Sequence, residues 1–85
     1  MKTPYFVYIL RCSDGTLYTG ITTDLERRVE EHNDSAKGAK YTRSRRPVTL
    51  VYSETCPDKS EASRREYRIK RMTRQQKDRM IAARD

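Results

Sequence analysis

Five side chains in this sequence could do chemistry together: Tyr8, Tyr18, Arg28, His32 and Glu66. Glu66 is the most informative. It falls between Ala62 and Ile69 on a helical wheel, on the face that should meet a sheet. A carboxylate there costs several kcal/mol unless it is paired or holds a cation. It could pair with an internal arginine such as Arg28. It could also bind a hard divalent ion, because one carboxylate plus waters and a substrate phosphate is the usual way Mg²⁺ is held. Arg28 could lay its stem over the sheet, or present its planar fork to a phosphate. Tyr8 and Tyr18 could be core aromatics, or phenols that nearby positive charge helps to ionise. His32 suits packing or the support of other groups, and a general-base role is also open to it.

The elements that must position these groups follow from the pattern of the chain. Tyr5 to Leu10 is an almost unbroken apolar and aromatic run, which fits a central strand. Thr16 to Ile21 is a second β-prone run, and Ser13-Asp14-Gly15 lies between them. A two-residue Asp14-Gly15 turn would put Tyr18 opposite Arg11, on the face away from Tyr8. A three-residue loop with Gly15 left-handed would put Tyr18 opposite Leu10, on the same face as Tyr8. A shared site requires the second arrangement, and it is the one expected here.

Thr23-Asp24-Leu25-Glu26 reads as a capping box with Thr23 as N-cap, starting a helix to about Asn33. Leu25, Val29 and His32 form its inner stripe and Arg28 lies at the edge; Arg27, Glu30 and Glu31 point outward. Residues 34–47 read as a loop in which Lys37, Lys40, Arg43, Arg45 and Arg46 surround Tyr41. Such a loop suits phosphate and base contacts, or is a solvated connection. Val48 to Ser53 is a third strand. Asp58-Lys59-Ser60-Glu61 caps a helix to about Arg71, and Thr73-Arg74-Gln75-Gln76 caps a last one. Met80, Ile81 and Ala83 are available to pack it. Arg84 and Asp85 are expected to fray. The order β-β-α-β-α-α predicts an α+β domain, a three-stranded and mostly antiparallel sheet flanked by helices.

Eighty-five residues form one domain spanning 1–85. A chain of this length buries only about 60 to 65% of the surface its unfolded form exposes, so the core must be compact. Charge is unevenly spread. Residues 1–42 hold six basic and six acidic side chains, whereas 43–85 hold thirteen and six, which carries the whole net charge of +7. Such asymmetry points to a polyanion, most often nucleic acid. Cys12 and Cys56 match no zinc spacing. No signal peptide is recognisable, and no apolar run approaches the roughly 20 residues of a membrane span. The expectation is a cytoplasmic protein with reduced thiols and no membrane partner.

Tyr8 in Phe6-Val7-Tyr8-Ile9-Leu10, followed by Tyr18-Thr19-Gly20, resembles the paired motifs of the GIY-YIG nucleases. Arg28 and His32 follow as in that family's Tyr-x-Gly…Arg-x-x-x-His pattern. Ala62-Ser63-Arg64-Arg65-Glu66 is similar to its metal-binding helix. The resemblance spans nearly the whole chain and is closest to the small stand-alone bacterial YhbQ-like members. It runs through Leu17 to Thr23, Lys37-Gly38-Ala39-Lys40 and Tyr67 to Lys77. Phe6 and Val7 stand where the first motif has glycine and isoleucine, and Thr19 replaces an isoleucine of the second. Asn33 precedes the metal helix, where many members carry an asparagine after it.

The resemblance implies a GIY-YIG fold and divalent-metal-dependent hydrolysis of phosphodiester bonds. Glu66 would hold Mg²⁺ or Mn²⁺, and Arg28 would bind the scissile phosphate. Tyr8 or Tyr18 would activate the attacking water. Gly20 would allow close approach at the sheet end, and His32 would support the site. The expected function is a DNA endonuclease, in repair or recombination, with a separate protein as a source of specificity. The competing expectation is a non-catalytic nucleic-acid-binding or interaction module that keeps the fold.

Overall fold

The computed structural model describes residues 3–84, Arg84 by its backbone alone. The elements run β1 (Tyr5–Arg11), β2 (Leu17–Thr22), α1 (Leu25–Asp34), α2 (Lys40–Arg43), β3 (Thr49–Cys56), α3 (Lys59–Lys70) and α4 (Arg74–Arg84). The three strands form one antiparallel sheet in the order β2-β1-β3. The apolar run of β1 is therefore the central strand, and β2 is an edge. The expected fraying falls on Asp85 and the Arg84 side chain, which lie outside the described residues.

The hairpin takes the three-residue loop. Cys12 N–H donates to Thr16 O at 2.8 Å, and Gly15 sits at φ 85°. That conformation costs glycine little and other residues more. Leu10 thus pairs with Tyr18, and Tyr8 with Gly20. Because strand side chains alternate, this register puts Tyr8 and Tyr18 on one face.

The two faces carry separate cores. Val7, Ile9, Tyr52 and Cys56 pack against Ala62, Ile69 and Ile81 of α3 and α4. Tyr8, Leu10, Cys12 and Val48 pack with Tyr18 and with Leu25 and Val29 of α1. α1 and α3 therefore cover opposite faces of the sheet. A bulge in β3 breaks the register where Ile9 faces Tyr52 and Leu10 faces Leu50, so that Val51 has no partner on β1.

Several boundaries differ from expectation for local reasons. Asp24, not Thr23, caps α1: its carboxylate accepts from Arg27 N–H at 3.1 Å. Thr22 Oγ1 accepts the Asp24 N–H, which ends the strand one residue later than the sequence suggests. β3 continues past Ser53 to Cys56, because Glu54 and Thr55 pair with β1 although neither is apolar. The loop 34–47 contains α2. Asp58 caps α3 as expected, and Thr73 and Gln76 exchange the two bonds of a capping box. Ala83 is exposed and takes no part in packing. No described helix is long and apolar enough to cross a membrane.

Candidate active site

The site is built around the side chain of Tyr8. Its ring crosses Gly20 on the neighbouring strand. A Cβ at Gly20 would lie 2.5 Å from the Tyr8 hydroxyl oxygen, so a side chain there would push the phenol away. Glycine is needed because the ring occupies the space above it. Tyr8 is buried, and its hydroxyl lies 2.9 Å from Nε2 of His32, itself fully buried on α1.

The direction of that hydrogen bond follows from the rest of the chain. Thr42 Oγ1 donates to Ala39 O at 2.9 Å, within the single turn of α2. Its oxygen is left to accept from His32 Nδ1–H at 2.8 Å. Nε2 is then the acceptor, and Tyr8 donates to it. Ala39 N–H also faces Nδ1, but at 3.4 Å it is the weaker contact. The result is a directional relay, Tyr8 to His32 to Thr42 to Ala39.

Burial sets the protonation of the pair. It pushes the Tyr8 phenol up to about 12; the neighbouring Arg28 pulls against this, while Tyr18 and Glu66 add to it. Burial also lowers His32 to about 4, with the Arg28 charge assisting. Both groups are neutral at pH 7, so the proton stays on Tyr8. Arg28 remains charged: burial opposes this, but its contacts with Tyr8 and Glu31 outweigh that opposition. Its guanidinium donates to Glu31 Oε1 at 3.0 Å and to Lys37 O at 2.8 Å. Glu31 is thus turned toward Arg28 rather than outward into solvent.

Glu66 comes from the other layer. Its neighbour Arg65 binds Glu54 of β3 at 2.8 Å, fixing the roll of α3. One residue on, Glu66 turns about a hundred degrees away. Its charge reaches the Tyr8 phenol. Its ion-pair partner is Lys70, at 3.4 Å, not Arg28, and its side chain is 24% exposed. An accessible single carboxylate fits an ion that keeps most of its coordination for water and phosphate, as Mg²⁺ and Mn²⁺ do. Among the described residues no group of three His, Cys, Asp or Glu side chains forms a cage for a metal.

Tyr18 completes an aromatic cluster. Its ring centre is 6.5 Å from that of Tyr8, 5.2 Å from His32 and 6.0 Å from Tyr41. The Arg45 guanidinium lies 4.0 Å from the Tyr41 ring centre. The basic residues of the 34–47 segment divide into two kinds. Arg46 donates to His32 O at 2.5 Å and to Ser35 O at 2.6 Å, capping the end of α1. Arg43 donates to Ala36 O, and Arg45 to Asp14 and Tyr41 O. Lys37 and Lys40 are exposed.

Two positioning residues escaped the sequence reading. Thr42, fully buried, fixes the His32 tautomer. Asn33 donates to Val48 O at 3.1 Å and accepts Val48 N–H at 2.7 Å, tying α1 to the chain entering β3. A lone Thr in a four-residue helix leaves no periodic signal. Asn33 would be legible only through a partner fifteen residues away.

Comparison with known proteins finds similarity over nearly the whole chain. The family model described as the GIY-YIG catalytic domain matches residues 4–79. A UPF0213 protein of Desulfotalea psychrophila is 65% identical over 79 residues, covering 93% of this chain and 72% of that protein. A UPF0213 protein of Halobacterium salinarum is 61% identical, covering 87% and 95%. The solution NMR structure of a UPF0213 protein from Bacillus halodurans superposes with a TM-score of 0.61 at 48% identity, covering 94% of this chain and 84% of that one. A protein of E. faecalis, also solved by NMR, gives 0.65 at 43% identity, covering 96% and 86%.

Proposed function

The chain belongs to the GIY-YIG family, a nuclease superfamily, and from that premise we propose that it is a divalent-metal-dependent endonuclease hydrolysing phosphodiester bonds in DNA. One observation carries the reading. The Tyr8 hydroxyl is 2.9 Å from a neutral imidazole, and both Arg28 and Glu66 act on it from opposite sheet faces. A phenol buried only for packing would need one hydrogen-bond partner, but not an arginine and a carboxylate both acting on it.

In the proposed mechanism Tyr8 takes a proton from the attacking water. Its own proton passes to His32 Nε2, while Nδ1–H stays on Thr42. Neither group ionises alone, since Tyr8 near 12 and His32 near 4 both favour the neutral pair. Transfer is therefore coupled to attack: Tyr8 gives its proton to His32 as it accepts one from water and stays neutral, while the P–O bond to the leaving strand breaks and its oxygen takes a proton from solvent. Glu66 would hold Mg²⁺ or Mn²⁺, which would neutralise charge developing on the phosphate oxygens. Arg28, held by Glu31 and Lys37 O, binds the scissile phosphate from the α1 side. Tyr18 sets the wall of the site rather than taking the proton, because it lacks the bond to His32 that Tyr8 makes. Lys37 and Lys40 supply exposed charge for the DNA backbone, and Arg46 acts by holding α1.

The test is cleavage of branched, single-stranded and duplex DNA, with RNA for comparison, in Mg²⁺ or Mn²⁺. Glu66→Ala and Arg28→Ala are each expected to lower cleavage by about a hundred- to a thousand-fold. Salt-dependent binding with no cleavage by the native chain would leave a nucleic-acid-binding module in place of the enzyme.

A further inference from the structure

A second feature adjoins the site at the outer edge of β2. A cleft of about 220 Å³ is lined by Leu17, Tyr18, Thr19, Tyr41, Lys70 and Lys77. The hairpin turn positions both of its walls. On one side Ser13 N–H donates to Arg45 O and Asp14 accepts from Arg45 Nε at 3.0 Å, which holds Tyr41 and Arg45 against the turn. On the other, Arg74 donates to Gly15 O at 2.8 Å, which brings the first turn of α4, with Lys77, to Leu17.

The lining combines aromatic faces with cations and no carboxylate. Tyr18 and Tyr41 are nearly parallel at 26°, yet their centres are 6.0 Å apart. That is a slipped stack, which leaves part of each ring face uncovered. Arg45 lies over one face of Tyr41, 4.0 Å from its centre, so the surface left for a base is what the slipped Tyr18–Tyr41 stack leaves open. The acidic neighbours are already paired: Asp14 with Arg45, Asp78 with Arg74, and Glu66 with Lys70. Lys70 thus borders both the cleft and the carboxylate of the active site.

We propose that this cleft holds one unpaired nucleotide of a DNA strand next to the scissile phosphate, its base against the Tyr18–Tyr41 pair and its phosphate between Lys70 and Lys77. The proposal rests on the nuclease reading above and names its substrate class: DNA that is single-stranded at the cleavage point, as in a flap or a gap. A base inside a duplex presents its edges to a protein, whereas an unpaired base presents a face that can stack. The volume suits one base and not a base pair.

Binding in EDTA tests the cleft without requiring cleavage. Fluorescence anisotropy would compare a labelled short oligothymidylate, the same strand with abasic spacers, and a blunt duplex. The native chain should bind the oligothymidylate about 5- to 100-fold more tightly than the abasic strand, the range of one base–aromatic stack. Tyr41→Leu should remove that difference and Tyr41→Phe should keep it. Lys77→Gln, on the surface of α4, should reduce the slope of log affinity against log salt by about 0.7. Equal affinity for the two strands, a Tyr41→Leu protein that still discriminates, or an unchanged salt slope in Lys77→Gln would each overturn the proposal. Failure of the nuclease reading shows differently, as absent cleavage with metal while base discrimination persists.

Discussion

The two faces of the sheet solve different problems. On the α3–α4 face the buried side chains are mostly apolar: Val7, Ile9, Tyr52, Cys56, Ala62, Ile69 and Ile81, with the hydroxyl of Thr19, opposite Ile9, among them. On the α1 face the buried set includes His32 and Thr42 beside Tyr8, Leu10 and Val48. The first face gains from every methylene it removes from water. The second places polar atoms where an unmade hydrogen bond would cost about 1–3 kcal/mol each, and it makes them all. Among the described residues no buried side-chain nitrogen or oxygen lacks a partner. The contrast teaches that the fold draws its apolar stabilisation mainly on one side and concentrates its buried polar network on the other. Glu66, whose charge reaches Tyr8, and the cleft that Lys70 and Lys77 share with Tyr18 and Tyr41 link the two.

Truncating the apolar face should separate stability from chemistry most clearly. Ile69 is fully buried, so Ile69→Ala should cost about 2–5 kcal/mol in urea unfolding. Cleavage per folded molecule should stay within a few-fold of native. A matching loss of specific activity would mean that the two faces are not independent. Next is Gly20→Ala, on the other side. The added Cβ forces the Tyr8 hydroxyl to move, and a displacement of this order is expected to lower cleavage about a hundred-fold. The protein should remain folded, as circular dichroism would record. Unchanged cleavage would remove Tyr8 from the role given to it.

These contrasts also explain what could be read from the sequence. The central strand, the element order and the carboxylate between Ala62 and Ile69 are legible because each is written in local periodicity. The hairpin was legible down to two registers, and Gly15 at positive φ selects the one that unites the tyrosines. Thr42, Asn33 and the cap made by Arg46 were not legible. Each acts on a group ten to fifteen residues away, through contacts that follow no repeat in the sequence. Arg46 looked like one more cation in a basic loop; in the fold its charge is directed at the carbonyls ending α1. The opposite placement of α1 and α3 was also hidden, since a helical wheel identifies the inner face of a helix but not which side of the sheet it covers.

The relay makes a pH-dependent difference between the faces. His32 titrates near 4 in the fold against about 6.5 when unfolded. The unfolded chain therefore binds more protons between those values. Stability should be fully present above about pH 6.5 and decline as pH falls toward 4, by at most about 3 kcal/mol from this group. His32→Gln should lower stability at pH 7 and flatten that decline in unfolding measured from pH 7 to 4. An acid slope equal to the native one would show that His32 is not held neutral by its surroundings.

The smallest effect is expected where the two faces meet. Lys70 pairs with Glu66 at 3.4 Å, with the lysine side chain 53% exposed. A pair so open to water contributes at most about 1 kcal/mol, so Lys70→Gln should barely change the unfolding midpoint. Its consequence should appear in metal dependence instead. Lys70 competes with a cation for the same carboxylate, and removing its charge should let Mn²⁺ act at about 2- to 5-fold lower concentration, in keeping with an exposed pair of that strength. Mn²⁺ titration of cleavage at saturating DNA, which separates this from the weaker DNA binding the same change should cause, would read the shift. A midpoint that does not move would mean that Glu66 meets its ion without displacing Lys70, and that the lysine serves the cleft alone.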